Sequence, residues 1–494
     1  MSESVSPNPA SDRSLGFQRV EPAEIDRTIR LPLLFFFSSA LFWLVVASLL
    51  WLLATIQSYA PLDWWSIPGV PWLTFGRVYP AFLNAFVYGW ASLAGVGIGI
   101  WILTRFGSAP IRGGSLALCA GILWNIGVVT GLIGILGGGG TGRELLEISP
   151  GAAFSILLAL VIIAVWAIMI FWSRRTAATF VSQWYLLGAF LWFPWSYLTA
   201  NVLLNVLGIP GPAQPVLHWW YVNSVIGLWL TPIGLAAGYY FIARIVNRPI
   251  YSYHLALLGF WGLAVFAGWT GMANLVGGPL PAWMITASIV ANMLVIIPVI
   301  AVAANFHLTI RRDFEVLSWN LALRFIVVGA MIYTFAGIWG GLNSLRDISR
   351  ITGFTVANSA RTPLNLYGFF SMVAFGALYY IVPRLLQKDW LSLGLVKTHF
   401  WLSVVGLGFL CFELTVGGII QGFGLLDPKI PFSAVGDLMK PFLFMQILAV
   451  GLLTVANLAA TGSFVTIFLN SERGSRKPIL EEATLEASRE VPVA

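Results

Sequence analysis

The sequence predicts an all-α integral membrane protein, built as a bundle of twelve transmembrane helices. Three observations carry that expectation. Of 494 residues, 58% are hydrophobic and only 10% are charged, whereas a soluble domain uses roughly 25% charged residues to solvate its surface. The apolar residues gather into twelve stretches, each close to the roughly 20 residues that cross about 30 Å of hydrocarbon. The 27 lysines and arginines fall mainly at or between the ends of those stretches.

Taken in order, the expected spans are 31–57, 79–104, 114–137, 152–172, 181–207, 216–243, 252–276, 281–306, 320–345, 362–383, 398–423 and 440–470. The second closes on Arg105 and Arg112, the fourth on Arg174 and Arg175, and the sixth on Arg244 and Arg248. The eighth closes on Arg311 and Arg312, and the tenth on Arg384 and Lys388. The opposite face holds only Arg77, Arg143, Arg346, Arg350, Arg361, Lys429 and Lys440, which leaves 20 of the 27 positive residues with the tails and the even connections. Positive residues are retained on the cytoplasmic side, so both termini are expected there. Polar tails at 1–30 and 471–494 flank one membrane domain at 31–470, with no sign of a separate soluble domain.

The composition also excludes function classes. Cys119 and Cys411 both lie in apolar runs and offer neither a disulfide framework nor a thiolate cluster. The first 30 residues lack the apolar core of a cleavable signal. The net charge of +7 follows from the sidedness of the loops, so nucleic acid is not an expected partner and membrane lipid is. The GGGG at 137–140 has no lysine and no neighbouring strand, so it is no phosphate-cradling loop; a flexible connection is expected. The four histidines, His218, His254, His307 and His399, all stand near span ends.

Several strings in the middle of the chain carry more information. HWWYVNSVIG starts at His218, GYYFIARIVNRPIYSYHLALLGFW at Gly238, LRFIVV at Leu323, GALYYIVP at Gly376, HFWL at His399 and GGIIQG at Gly417. In this order and spacing they resemble subunit I of the cbb-type (C-family) haem–copper cytochrome c oxidases, over about residues 75–425. The resemblance implies a twelve-helix bundle of the haem–copper oxidase subunit I type in a bacterial inner membrane. It also implies two haems b and one copper held by six histidines, and a tyrosine cross-linked to one copper ligand.

Position by position, this chain departs from that pattern. The histidine of the family's second span falls on Phe82 within GRVYPAFLNAF. In the sixth span, where the family has Trp-Trp-Tyr-Gly-His, the copper ligand falls on Asn223. In the seventh, the histidine pair falls on Ala273 and Asn274, and the cross-linked tyrosine on Ala267. In the tenth, Gly-His-x-His becomes Ala360, Arg361, Thr362 and Pro363, and no histidine lies between His307 and His399 to restore it after a register slip. A glutamate of the family's ninth span is matched by Phe335-Ala336.

Other ligands are poor substitutes. His218 reads as an aromatic-belt residue beside Trp219 and Trp220, His254 and His307 as interfacial, and His399 as structural. Met272 and Met372 read as gap-filling core. A carboxamide suits copper badly, so Asn223 and Asn274 are expected to approach each other and hydrogen-bond across spans six and seven. Arg361 either sets a cation inside the bundle or snorkels to water from the start of its span. Glu413 is expected to form an ion pair with Lys440 at the start of span twelve, or to relay protons.

Three functions remain in view. One is a family member without haem, copper or oxygen reduction, acting as a structural, assembly or electron-transfer-complex subunit that docks a c-type cytochrome or other membrane subunits. Another is a cbb-type oxidase subunit I reducing oxygen. The last is a quinone-binding or transport module built on the vacated cavities. Without the site, fold is a weak warrant for activity.

Overall fold

The computed structural model describes residues 22–60, 71–107, 113–174, 179–388, 390 and 392–469. The expected polar tails lie largely outside these. Among the described residues there is no β-strand, and twelve helices are long and apolar enough to cross a membrane. They are Ile25–Tyr59, Phe75–Gly107, Gly114–Leu136, Pro150–Trp172, Val181–Val206, Ala213–Val246, Tyr253–Leu275, Ala282–Ile310, Leu321–Asn343, Val356–Leu386, Leu393–Leu426 and Phe432–Leu469, and are numbered spans one to twelve. All twelve overlap the expected stretches. The largest boundary difference is in span twelve, which begins at Phe432 rather than 440.

Burial divides the spans into an inner and an outer set. The apolar windows of spans two, six and ten are 100%, 89% and 89% buried, against 33–50% for the other nine. The outer spans keep their remaining apolar surface for lipid, which is why they are hydrophobic all round. Close packing rests on small residues where backbones approach. A methyl at Gly376 of span ten would lie 2.6 Å from the Ala322 carbonyl of span nine, a contact that only a residue without a side chain permits.

Each inner span also carries a π-helical segment, at Ala85–Ala91, Val225–Leu230 and Leu364–Ser371. Such widened turns recur at functional sites. These three begin within three residues of Phe82, Asn223 and Pro363 respectively.

The glycine run at 137–140, expected as a flexible connection, is flanked on both sides by anchored residues. Arg77 donates to the Leu136 carbonyl at 3.1 Å, Tyr88 to Leu145 at 2.6 Å, and Arg143 to the Asn205 side chain at 3.0 Å. Gly138 takes φ +92, a left-handed conformation that favours glycine.

Candidate functional site

Phe82 sits where span two faces spans one and ten. Its ring stacks on Trp51 with centroids 5.1 Å apart and planes 7° from parallel. Phe86 lies edge-on to both, and Tyr367 of span ten meets Trp51 at 6.2 Å and Phe86 at 6.1 Å. The Tyr367 hydroxyl donates to Asn457 of span twelve at 2.7 Å, and Asn457 donates to Ser48 at 2.8 Å. This aromatic cluster is therefore closed by a satisfied polar clasp, as buried polar groups require.

A second centre lies among spans six to ten. Asn223, Ala267, Ala336 and Arg361, four positions singled out by the sequence, line one cavity of about 60 Å³ together with Thr270 and Asn292. The resemblance assigned these residues from four separate strings, and the fold brings them to one place. Gly227 approaches Ala267 closely: a methyl on the glycine would lie 3.1 Å from the Ala267 Cβ. Arg361 is half-buried, and among the described residues its guanidinium makes no hydrogen bond or ion pair.

Asn223 does not pair with Asn274. Its amide nitrogen donates to its own helix at Trp219 (2.9 Å), and its carbonyl accepts from the Thr270 hydroxyl at 3.3 Å. Asn274 donates to the Gly271 carbonyl at 3.1 Å, and the Ala273 backbone N–H donates to Ser288 of span eight. The reason is local geometry. Span seven tightens to a 3₁₀ helix over Ala267–Leu275, and three residues per turn set 267, 270 and 273 on one face. Thr270, rather than Asn274, meets the Asn223 side chain.

The expected Glu413–Lys440 pair is also absent. Lys440 is exposed and pairs with Asp437, one turn earlier, at 2.8 Å. That partner exists because span twelve extends back to Phe432. Glu413 is fully buried in span eleven, and neither carboxylate oxygen has a partner among the described residues.

The histidines fall in two groups. His254 and His307 are exposed, and His218 bonds through Nε2 with the Glu144 carbonyl at 3.1 Å in the loop face. His399 is fully buried between Phe325 and Phe375, its Nδ1 bonded to the Tyr379 hydroxyl at 2.8 Å. Met272 and Met372 are core residues. No group of three or more His, Cys, Asp or Glu side chains able to hold a metal occurs among the described residues. Phe82, Ala267, Ala273 and Pro363 carry no donor atom, the Arg361 guanidinium is a cation with no lone pair to give, and Asn223 is engaged by Thr270. None of these side chains offers the imidazole, sulfur or phenolate donor that holds haem iron, nor the imidazole or sulfur that copper prefers.

On the loop face, Glu147 is 5% exposed and accepts from Asn84 at 2.8 Å. Burial pushes its carboxyl up to about 7, and also raises that of neighbouring Glu144. Sequence reasoning missed this carboxylate. It missed Thr270, Asn292 and Asn365 of the central cavity as well; asparagines inside apolar runs were the available signal.

Twelve apolar spans, nine of them set around three enclosed ones, with four of the singled-out positions lining one cavity, define a polytopic membrane protein of the haem–copper oxidase type. The chain matches the family described as cytochrome c and quinol oxidase polypeptide I over residues 32–452, and belongs to it. It is 26% identical to the cbb3-type cytochrome c oxidase subunit CcoN1 of Stutzerimonas stutzeri, over 72% of this chain and 76% of that one. It is 27% identical to a cytochrome c oxidase subunit 1 homolog of Agrobacterium tumefaciens, over 78% and 72%. It is 25% identical to a bacteroid cytochrome c oxidase subunit 1 homolog of Bradyrhizobium diazoefficiens, over 86% and 80%. A haem–copper terminal oxidase solved as a dimer by cryo-electron microscopy shares the fold, with TM-score 0.75, 14% identity and coverage of 91% and 84%.

Proposed function

We propose that this chain is a non-catalytic member of the haem–copper oxidase family that carries neither haem nor copper and serves as a structural, assembly or electron-transfer-complex subunit. One observation carries the reading. The whole sequence holds four histidines, and the side chains at all six aligned ligand positions, Phe82, Asn223, Ala273, Asn274, Arg361 and Pro363, are unsuited to the metals. The packing supports it: Phe82 is stacked flat on Trp51, and Asn223 and Asn274 make helical hydrogen bonds.

Within this reading the protein lies in a bacterial inner membrane with both tails cytoplasmic, supported by the distribution of its positive residues. Its partners are lipid and other membrane subunits, including a c-type cytochrome at the opposite face, as the relatives' names suggest. The quinone alternative fits poorly in the central cavity, since about 60 Å³ is too small for a quinone ring. The oxidase alternative keeps only the fold and the relatives' names.

Affinity purification of the full chain from its native membrane, with metal analysis and oxygen uptake on reduced cytochrome c, tests the proposal. Copper below a tenth of stoichiometry, no oxygen uptake, and a defined set of co-purifying membrane subunits are expected. Stoichiometric copper or cytochrome c-dependent oxygen uptake by the isolated chain would overturn it.

A further inference from the structure

The central cavity has a chemistry of its own. At about 60 Å³ it is several times the space that one water needs by the same measure, and it takes a solute of up to about four heavy atoms. Its polar lining comes from five spans: Asn223, Thr231, Thr270, Asn292, Tyr333, Arg361 and Asn365. No carboxylate is among the lining residues.

The lining carries one formal charge, that of Arg361, with no opposite charge beside it. The two N–H groups of Asn292 are spent on the Thr270 and Ser288 carbonyls, and Asn365 donates to the Arg361 carbonyl. The Arg361 guanidinium carries five N–H groups and finds no acceptor or counter-charge among the described residues. An uncompensated cation within a membrane bundle is costly and is normally paired. Arg361 stands five residues from the start of span ten, about 7–8 Å along the helix, so the cavity lies near one face of the bundle and a small solute has a short path to it.

Small residues keep the space open. Ala267, Ala336, Gly337 and Gly340 line it, and a methyl at Gly340 would lie 3.8 Å from Arg361 Nε. A tyrosine in place of Ala267 or a glutamate in place of Ala336 would fill the volume or neutralise the guanidinium.

We propose that this cavity is a binding site for a small monovalent anion, a halide or an oxyanion of three or four heavy atoms, held by Arg361. The inference rests on the preceding reading only in needing the cavity free of haem and copper. The anion supplies the missing counter-charge and acceptors, and the cavity size excludes larger anions.

The test uses the purified full chain in detergent, melted at constant ionic strength in sodium gluconate with chloride, bromide or formate substituted stepwise. The melting temperature should rise saturably with each small anion and stay flat in gluconate alone. Arg361→Gln should abolish the rise and leave the protein no less stable than wild type in gluconate. Should Arg361→Gln fail to fold, Gly340→Ala decides instead: the added methyl should weaken the formate effect at least tenfold relative to chloride. A wild-type melt indifferent to all three anions, an Arg361→Gln protein that keeps the rise, or a Gly340→Ala protein with unchanged formate response overturns the proposal. An absorption spectrum of the same sample reports separately on haem, so loss of the non-catalytic reading and loss of the anion site are distinguishable.

Discussion

Phe82 and Trp51 stack face to face, with centroids 5.1 Å apart and planes 7° from parallel, at the junction of spans one, two and ten. The family resemblance puts a haem-ligating histidine at Phe82. A stacked pair at that position, hemmed by Phe86 and Tyr367, makes the ring a packing element. Aromatic pairs of this kind contribute about 0.5–1.5 kcal/mol beyond their burial.

Phe82→Ala should therefore destabilise the bundle by about 3 kcal/mol, the scale of a large-to-small core substitution. Phe82→Leu, which keeps most of the volume, should cost less than half as much. Thermal or denaturant unfolding of the purified variants checks the ratio; equal losses would show that the stacked geometry is not what stabilises the site.

Gly422 of span eleven lies against the Ile351 carbonyl of the short helix Arg346–Thr352, so a methyl there collides with backbone. Gly422→Ala should lower stability by about 1–3 kcal/mol, the usual range for overpacking. It should also raise protease sensitivity within 344–355. Gly436→Ala, with open space around it, is the matched control and should be close to neutral.

Glu147 is a buried acid outside the membrane spans, with its carboxyl pushed up to about 7 from 4.5 by burial. The raised value means that the folded state holds the proton more tightly than the unfolded state. Its contribution is thus most favourable below about 4.5 and is lost as pH rises toward 7. Glu147→Gln keeps the Asn84 contact without the charge. Its melting temperature should gain on wild type progressively across that window and by a constant amount above it. A parallel pair of curves would contradict this assignment.

Glu413 has two buried oxygens without partners among the described residues, and such groups cost about 1–3 kcal/mol each to leave unsatisfied. Glu413→Gln or Glu413→Met should raise stability rather than lower it. A large loss would reveal a partner, such as an ordered water chain, that the packing alone does not supply.

Much of this arrangement is legible in the sequence because lipid imposes a strong length and composition rule. All twelve spans follow from that rule, and the positions Asn223, Ala267, Ala336 and Arg361, named from separate strings, share one cavity. What escapes depends on local geometry. The 3₁₀ tightening of Ala267–Leu275 is a small shift in residues per turn that the string does not announce, and Thr270 is the residue that meets Asn223. A span twelve that starts at 440 leaves Lys440 facing Glu413; eight more residues of helix bring Asp437 to it instead. The anchoring on either side of 137–140 is hidden because the anchors, Tyr88, Arg77 and Asn205, are distant in sequence.

The most direct test is the visible spectrum and pyridine haemochrome of the full chain, purified after expression in a host that assembles b-type oxidases. The account predicts no Soret band and haem below a tenth of stoichiometry, because the family resemblance puts Phe82, Arg361 and Pro363 where haem-ligating histidines are expected. One or two haems b per chain, persisting through purification, would contradict it.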